Sequence, residues 1–151
     1  AVSKSDLFKN YCSSDSQSGN NVDDFVATAN ELFADSDMPF NEKISEIKKI
    51  DIESIDSPLL KSLFFREVAE MFLDANELDS AIEYLSKSEA LYSRKDLYFA
   101  KLNYSFSLTY FEKGDYDNSN IYIDKALNCN FIDSNLDQKI KFLKGKILSK
   151  I

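Results

Sequence analysis

Asp115-Tyr116-Asp117-Asn118-Ser119 offers oxygen-bearing side chains at alternate positions, which is how a calcium-binding loop begins. Such a loop also needs a Gly at its sixth position and a bidentate Glu at its twelfth. Asn120 and Ala126 stand there instead. Gly114 just before the stretch supplies the alternative, a tight corner between two helices with Asp115 or Asp117 as the cap. The residues favour the corner, and no metal ligand is assigned.

Other candidate chemistry is thin. Ser45-Glu46-Ile47-Lys48 matches the Ser-x-x-Lys form of a nucleophile motif, but no Lys-Thr-Gly accompanies it, and both ends fall on the polar side of a short helix. The chain has no His, so it lacks the commonest general base and the commonest metal ligand. Gly-rich phosphate loops are absent. Cys12 and Cys129 show neither zinc spacing nor a disulfide framework and read as two unrelated thiols. Ser13-Ser14-Asp15-Ser16 after Cys12 has the polar character of a lipoprotein tether, yet Lys9-Asn10-Tyr11 is not the small, apolar approach that such processing needs. The expectation is a non-catalytic protein with no cofactor.

Composition limits the partners. A formal charge of −8, from 26 acidic against 18 basic residues, argues against nucleic acid or an anionic membrane as the main partner. No apolar run approaches the roughly 18 residues of a membrane span, so a soluble chain is expected, in the cytoplasm or a bacterial cell envelope. It begins Ala1-Val2-Ser3 without Met and reads as a processed chain or an excised domain. The strong preference for Lys over Arg, with abundant Asn and Ile, suggests an AT-rich coding genome.

The elements that position these residues follow from hydrophobic periodicity. With 44% apolar residues, three Gly and two Pro, the chain has enough apolar surface for a core and too few breakers for a sandwich or barrel. Residues 1–21 read as a polar arm or linker, and residues 22–151 as one helical domain. Helices are predicted at about 22–34, from Phe40 to about 50 with a prolongation through Ile52 and Ile55, at 58–74 after the Ser57-Pro58 start signal, and at 78–92, 96–112, 116–128 and 134–151. Asn76, Gly114 and Asn130 mark corners. The predicted class is all-α, about seven helices in antiparallel hairpins.

Self-comparison reveals a period of 38. Ala69, Ser107 and Gly145 are small, and Phe72, Tyr110 and Leu148, three positions later, are bulky. Leu78-Asp79-Ser80-Ala81 aligns with Tyr116-Asp117-Asn118-Ser119, and Leu85 with Ile123. A small residue lets two helices approach while the bulky one fills the hollow a turn later.

Through Gly114-Asp115-Tyr116, Tyr110 and Ala126-Leu127, and again through Ala69, Phe72, Leu78, Ala81 and Leu85, residues 60–151 resemble the tetratricopeptide repeat. The resemblance implies a short TPR-like α-solenoid: a degenerate hairpin at 22–56, repeats at 58–95 and 96–133, and a capping helix at 134–151. The usual period is about 34, and the extra residues are expected in Glu89-Ala90-Leu91-Tyr92-Ser93-Arg94-Lys95-Asp96 as about one further helical turn. Asn103 replaces a large apolar residue, and Ser119 replaces Ala.

In that family ligands lie in the concave groove lined by the first helix of each unit. The resemblance therefore implies partner-binding positions at Arg66, Glu70, Lys101, Tyr104, Leu108, Phe111, Phe142 and Lys146, with Tyr104, Leu108, Phe111 and Phe142 as an apolar strip flanked by cations. The competing reading of the strip is burial of the middle helix on every side. Glu70 stands where the chaperone-tail clamp of the family needs Asn, which argues against that ligand. The functional expectation is a protein or peptide interaction module within a larger assembly. The alternatives are a structural spacer or self-association domain, or an accessory domain of a larger enzyme.

Overall fold

The computed structural model describes residues 20–130 and 133–151. The expected polar arm, apart from its last two residues, and Cys12 lie outside them. Among the described residues there is no strand, and the helices are α1 Asn20–Ala34, α2 Phe40–Lys48, α3 Pro58–Asp74, α4 Leu78–Ala90, α5 Leu97–Lys113, α6 Tyr116–Leu127 and α7 Ser134–Leu148. The all-α expectation holds. The second helix is shorter than its apolar pattern suggests: it stops at Lys48, and a 3-10 turn at Ile52–Ser54 delivers Ile55 into the core as an extended residue.

Local chemistry sets the helix starts. Ser57 accepts from Leu60 N at 3.1 Å with Pro58 just inside the helix. Asp96, Asp115 and Asp133 do the same three residues on, from Phe99 N at 3.2 Å, Asn118 N at 3.2 Å and Leu136 N at 2.7 Å. These oxygens satisfy amides that have no partner within the helix.

Two helix ends are the same device. At Asn76 (φ 61°) and Gly114 (φ 82°) the backbone turns left-handed. The next amide reaches back to the bulky residue of the repeat, Glu77 N to Phe72 O at 2.8 Å and Asp115 N to Tyr110 O at 2.9 Å. The turn residues themselves donate to Leu73 O and Phe111 O, both at 3.0 Å. This is the paired bonding of a Schellman cap, repeated at the 38-residue spacing. Asp115 caps α6, so the corner reading of the opening stretch is the one observed.

Helix α3 pairs with α4 and α5 with α6; α4 then packs on α5 and α6 on α7, while α3, α5 and α7 touch one another in turn. This is the packing of helical hairpins stacked in sequence. Within each hairpin a pair of buried serines ties the two helices together. Ser62 and Ser88 exchange side-chain-to-carbonyl hydrogen bonds in the first, and Ser107 and Ser119 in the second. Shifted by 38, Ser107 and Ser119 become Ala69 and Ala81, and Ser62 and Ser88 become Ala100 and Ala126. All eight residues are at most 1% exposed. Each hairpin therefore has one bonded Ser–Ser pair and, at the positions equivalent to the other hairpin's serines, two buried alanines, as close helix approach favours.

The bulky positions repeat with their partners. Phe72 stacks on Tyr84 at 5.4 Å with Lys87 above Tyr84, and Tyr110 stacks on Tyr122 at 5.5 Å with Lys125 above it. Tyr84 and Tyr122, Lys87 and Lys125 are again 38 apart.

The four additional residues do not form the expected helical turn. Helix α4 ends at Ala90, and the chain runs without helix to an extended Asp96 (φ −114°, ψ −166°). Tyr92 donates to the Asp96 carboxylate and meets Tyr98 edge-on at 4.6 Å, so the linker is pinned back on the start of α5. Free Cys129 secures it from the other side, its thiol donating to Asp96 O at 3.1 Å.

Helices α1 and α2 cover the first hairpin. Phe25 and Phe33 contact Phe64, and Phe40 meets Phe72 edge-on. One core cluster joins α1–α5 and a second joins α5–α7. On α7, Leu136, Ile140, Leu143 and Ile147 are buried, but Gly145 and Leu148 are exposed, and a Cβ at Gly145 would meet nothing within 4 Å. The small-then-bulky pair thus has no packing role at its third occurrence among the described residues. Ser45 and Lys48 are both exposed, as a solvated face requires.

Candidate functional site

The first helices α3, α5 and α7 lie side by side and bring the eight partner-binding candidates onto neighbouring elements, but not as one open strip. Arg66 and Glu70 stand one turn apart on α3, with side chains only 12% and 13% exposed and 3.5 Å between Nη2 and Oε1. Ser105 of α5 donates to the same Glu70 oxygen at 2.5 Å. The Arg66 guanidinium lies 5.8 Å from the centre of the Tyr98 ring. This pair ties α3 to α5. Arg66 Nε is buried without a hydrogen-bond partner.

Lys101 follows on α5, half-buried. Burial pushes its ammonium below the usual lysine value and Arg66 pushes it further, against the pull of Asp133. Tyr104 is half-buried as well, its phenol raised by burial and then by Glu70. A cation and a phenol held against unfavourable surroundings are sites where an incoming group can gain by pairing.

Leu108 and Phe111 pack against the second core cluster and keep only part of their surface exposed. The middle helix is buried around most of its circumference, including Leu102, Asn103, Ser105, Phe106, Ser107 and Thr109. Burial therefore accounts for more of its apolar character than the groove does. The strip opens at α7. Phe142 is 71% exposed, and Lys146 sits 5.5 Å from its ring centre and 5.0 Å from that of Phe111.

The site thus has a closed polar end, Arg66–Glu70–Ser105, and an open aromatic and cationic end, Phe111–Lys146–Phe142. Sequence reasoning missed Ser105 and Tyr98 because neither carries a motif. Their roles depend on rotation of α5 about its axis, which packing sets. Among the described residues no group of three or more carboxylates or thiols converges as a metal site, and no helix is long and apolar enough to cross a membrane. No family model, no curated protein and no solved structure matches the chain.

Proposed function

We propose that the chain is a non-catalytic interaction module of TPR-like α-solenoid form, binding a protein or peptide partner across the faces of α3, α5 and α7 within a larger assembly. The observation that carries this is Phe142: a large aromatic ring mostly in water, bridged by Lys146 to the partly buried Phe111. Aromatic anchors beside a cation are the side chains on which interface energy concentrates. The tight hairpins hold these residues on rigid helices, so little ordering remains for binding to offset.

Phe142→Ala tests the reading without disturbing the core, since the ring is largely exposed. Tyr104→Ala with Phe111→Ala tests the half-buried part. Proteins captured from the source cell by the wild-type chain should be lost with both variants while circular dichroism keeps its helical signal. Retention of the same captured set by both would remove the proposal.

A second reading, self-association as a spacer, is favoured by the exposed Ile121, Leu148 and Ile151. Sedimentation of the isolated chain separates the two, because a monomer at high concentration leaves self-association without support.

A further inference from the structure

We infer that the partner segment is acidic and carries an apolar anchor, and that it docks on the α7 side of the groove with Lys139 and Lys146 flanking Phe142. The inference deepens the interaction-module reading and rests on it. Lys139, Phe142 and Lys146 follow one another at three- and four-residue steps and so share one helix face. All three are exposed. Within the described residues, the other α7 lysines are already matched. Lys141 pairs with Asp137 at 2.9 Å, and Lys144 pairs with Asp124 at 2.8 Å and Asn120 at 2.6 Å. Lys139 and Lys146 have no carboxylate within ion-pair distance there.

The charge is concentrated against the background. In a chain of net charge −8, these cations make a local positive patch beside an exposed ring. Lys101 extends the patch inward, where Arg66 and Lys139 act on it with the same sign and Asp133 offsets them in part. A basic or neutral segment would leave them uncompensated. An extended polyanion such as nucleic acid, or an anionic bilayer, would meet the same lysines but also the acidic remainder of the surface, which repels it over a longer range. A short acidic segment with an apolar side chain satisfies the ring and the lysines together.

The test uses the full chain and a fluorescein-labelled amphipathic Glu/Leu/Phe peptide of about four helical turns, read by fluorescence anisotropy at low and moderate salt. Matched probes replace every Glu by Lys, or every Leu and Phe by Ser. The acidic amphipathic peptide should bind tightest, and weaken with salt. Lys139→Glu with Lys146→Glu should weaken it by roughly tenfold, Phe142→Ala should weaken it at both salt concentrations, and Lys87→Glu on the far layer should leave it unchanged. Equal binding of the Lys peptide, or an equal loss with Lys87→Glu, would overturn the inference. So would tighter binding of a single-stranded oligonucleotide or of phosphatidylserine vesicles, or a wild-type dimer that dissociates on the double charge reversal. If the acidic peptide fails while Phe142→Ala still abolishes capture of cellular proteins, the partner chemistry is wrong and the interaction module stands. If both fail, neither stands.

Discussion

Ser107 and Ser119 each donate to the other's backbone carbonyl, at 2.8 and 2.7 Å, across the crossing of α5 and α6. Both side chains are fully buried. The equivalent positions of the first hairpin are the buried Ala69 and Ala81, so small size, more than the hydroxyls, is what the two hairpins share. Replacing both serines by Ala should therefore cost only about 1–2 kcal/mol in total, whereas Ser107→Leu should cost more than about 2 kcal/mol by forcing the helices apart. Urea denaturation of the three chains gives the order. A leucine variant as stable as the double alanine variant would show that the crossing is not tight.

The paired corners make a second prediction. Gly114 is left-handed, and no atom lies within 4 Å of where its Cβ would be, so Gly114→Ala is opposed by backbone strain alone. The expected loss is about 1–2 kcal/mol. Asn76 holds the same conformation with a side chain that tolerates it, so Asn76→Gly should be neutral or slightly stabilising and Asn76→Ala destabilising. If Gly114→Ala and Asn76→Ala move the thermal midpoint in opposite directions, the two corners are not the same device.

These corners were legible in the sequence, and it is instructive that the linker was not. Asn76, Gly114, Ser57-Pro58 and the aspartate caps act through their own backbone or the next turn, so residue type nearly determines the outcome. The small positions were also readable, because a period of 38 repeats them. The segment after Ala90 had the composition of a continuing helix, yet Tyr92 found Asp96 and Tyr98, contacts that exist only once α5 is in place. The candidate groove was half legible for the same reason. Its residues were placed on the right helices, but periodicity could not say that Glu70 would be held by Ser105, or that Phe142 would be left in water while Leu108 was covered.

Asn103 stands 38 residues after Phe65, a buried aromatic of the first hairpin. Its amide nitrogen donates to Phe99 O at 2.9 Å, but its Oδ1 is buried without a partner. An unsatisfied buried acceptor costs about 1–3 kcal/mol, and leucine keeps the same branching with bulkier methyl groups, whose fitting offsets part of the gain. Asn103→Leu should thus stabilise the chain by about 1 kcal/mol, and Asn103→Asp should destabilise it by several times that amount, since it would bury a charge. Denaturant midpoints of the two variants check both signs. A destabilised leucine variant would mean that the acceptor is satisfied in solution, for instance by an ordered water.

Alkaline pH should unfold the chain through its tyrosines. Burial raises the phenols of Tyr98, Tyr92, Tyr104 and Tyr122, and nearby carboxylates raise the last three further, Asp96 beside Tyr92, Glu70 beside Tyr104 and Glu89 beside Tyr122. A raised folded value means that the folded chain holds these protons more tightly than the unfolded chain. The associated stability is complete below the usual tyrosine value of about 10 and is lost as the pH climbs from there through the folded values. Lys101 works the other way: its folded value is depressed, so its unfavourable contribution fades as the pH rises toward the usual lysine value. Four phenols against one ammonium leave a net loss. Urea midpoints should fall between about pH 9 and pH 11, and a tyrosinate absorbance titration should show part of the eight tyrosines ionising only with loss of the helical signal. Tyr98→Phe removes the most deeply buried of the four, together with its bond to Ser62 O, so it should lower stability at neutral pH by about 1 kcal/mol while flattening the alkaline decline. Ionisation of all eight in one step near the usual value, with helicity intact, would contradict the burial of Tyr98 between α3, α4 and α5 on which the stacked hairpins depend.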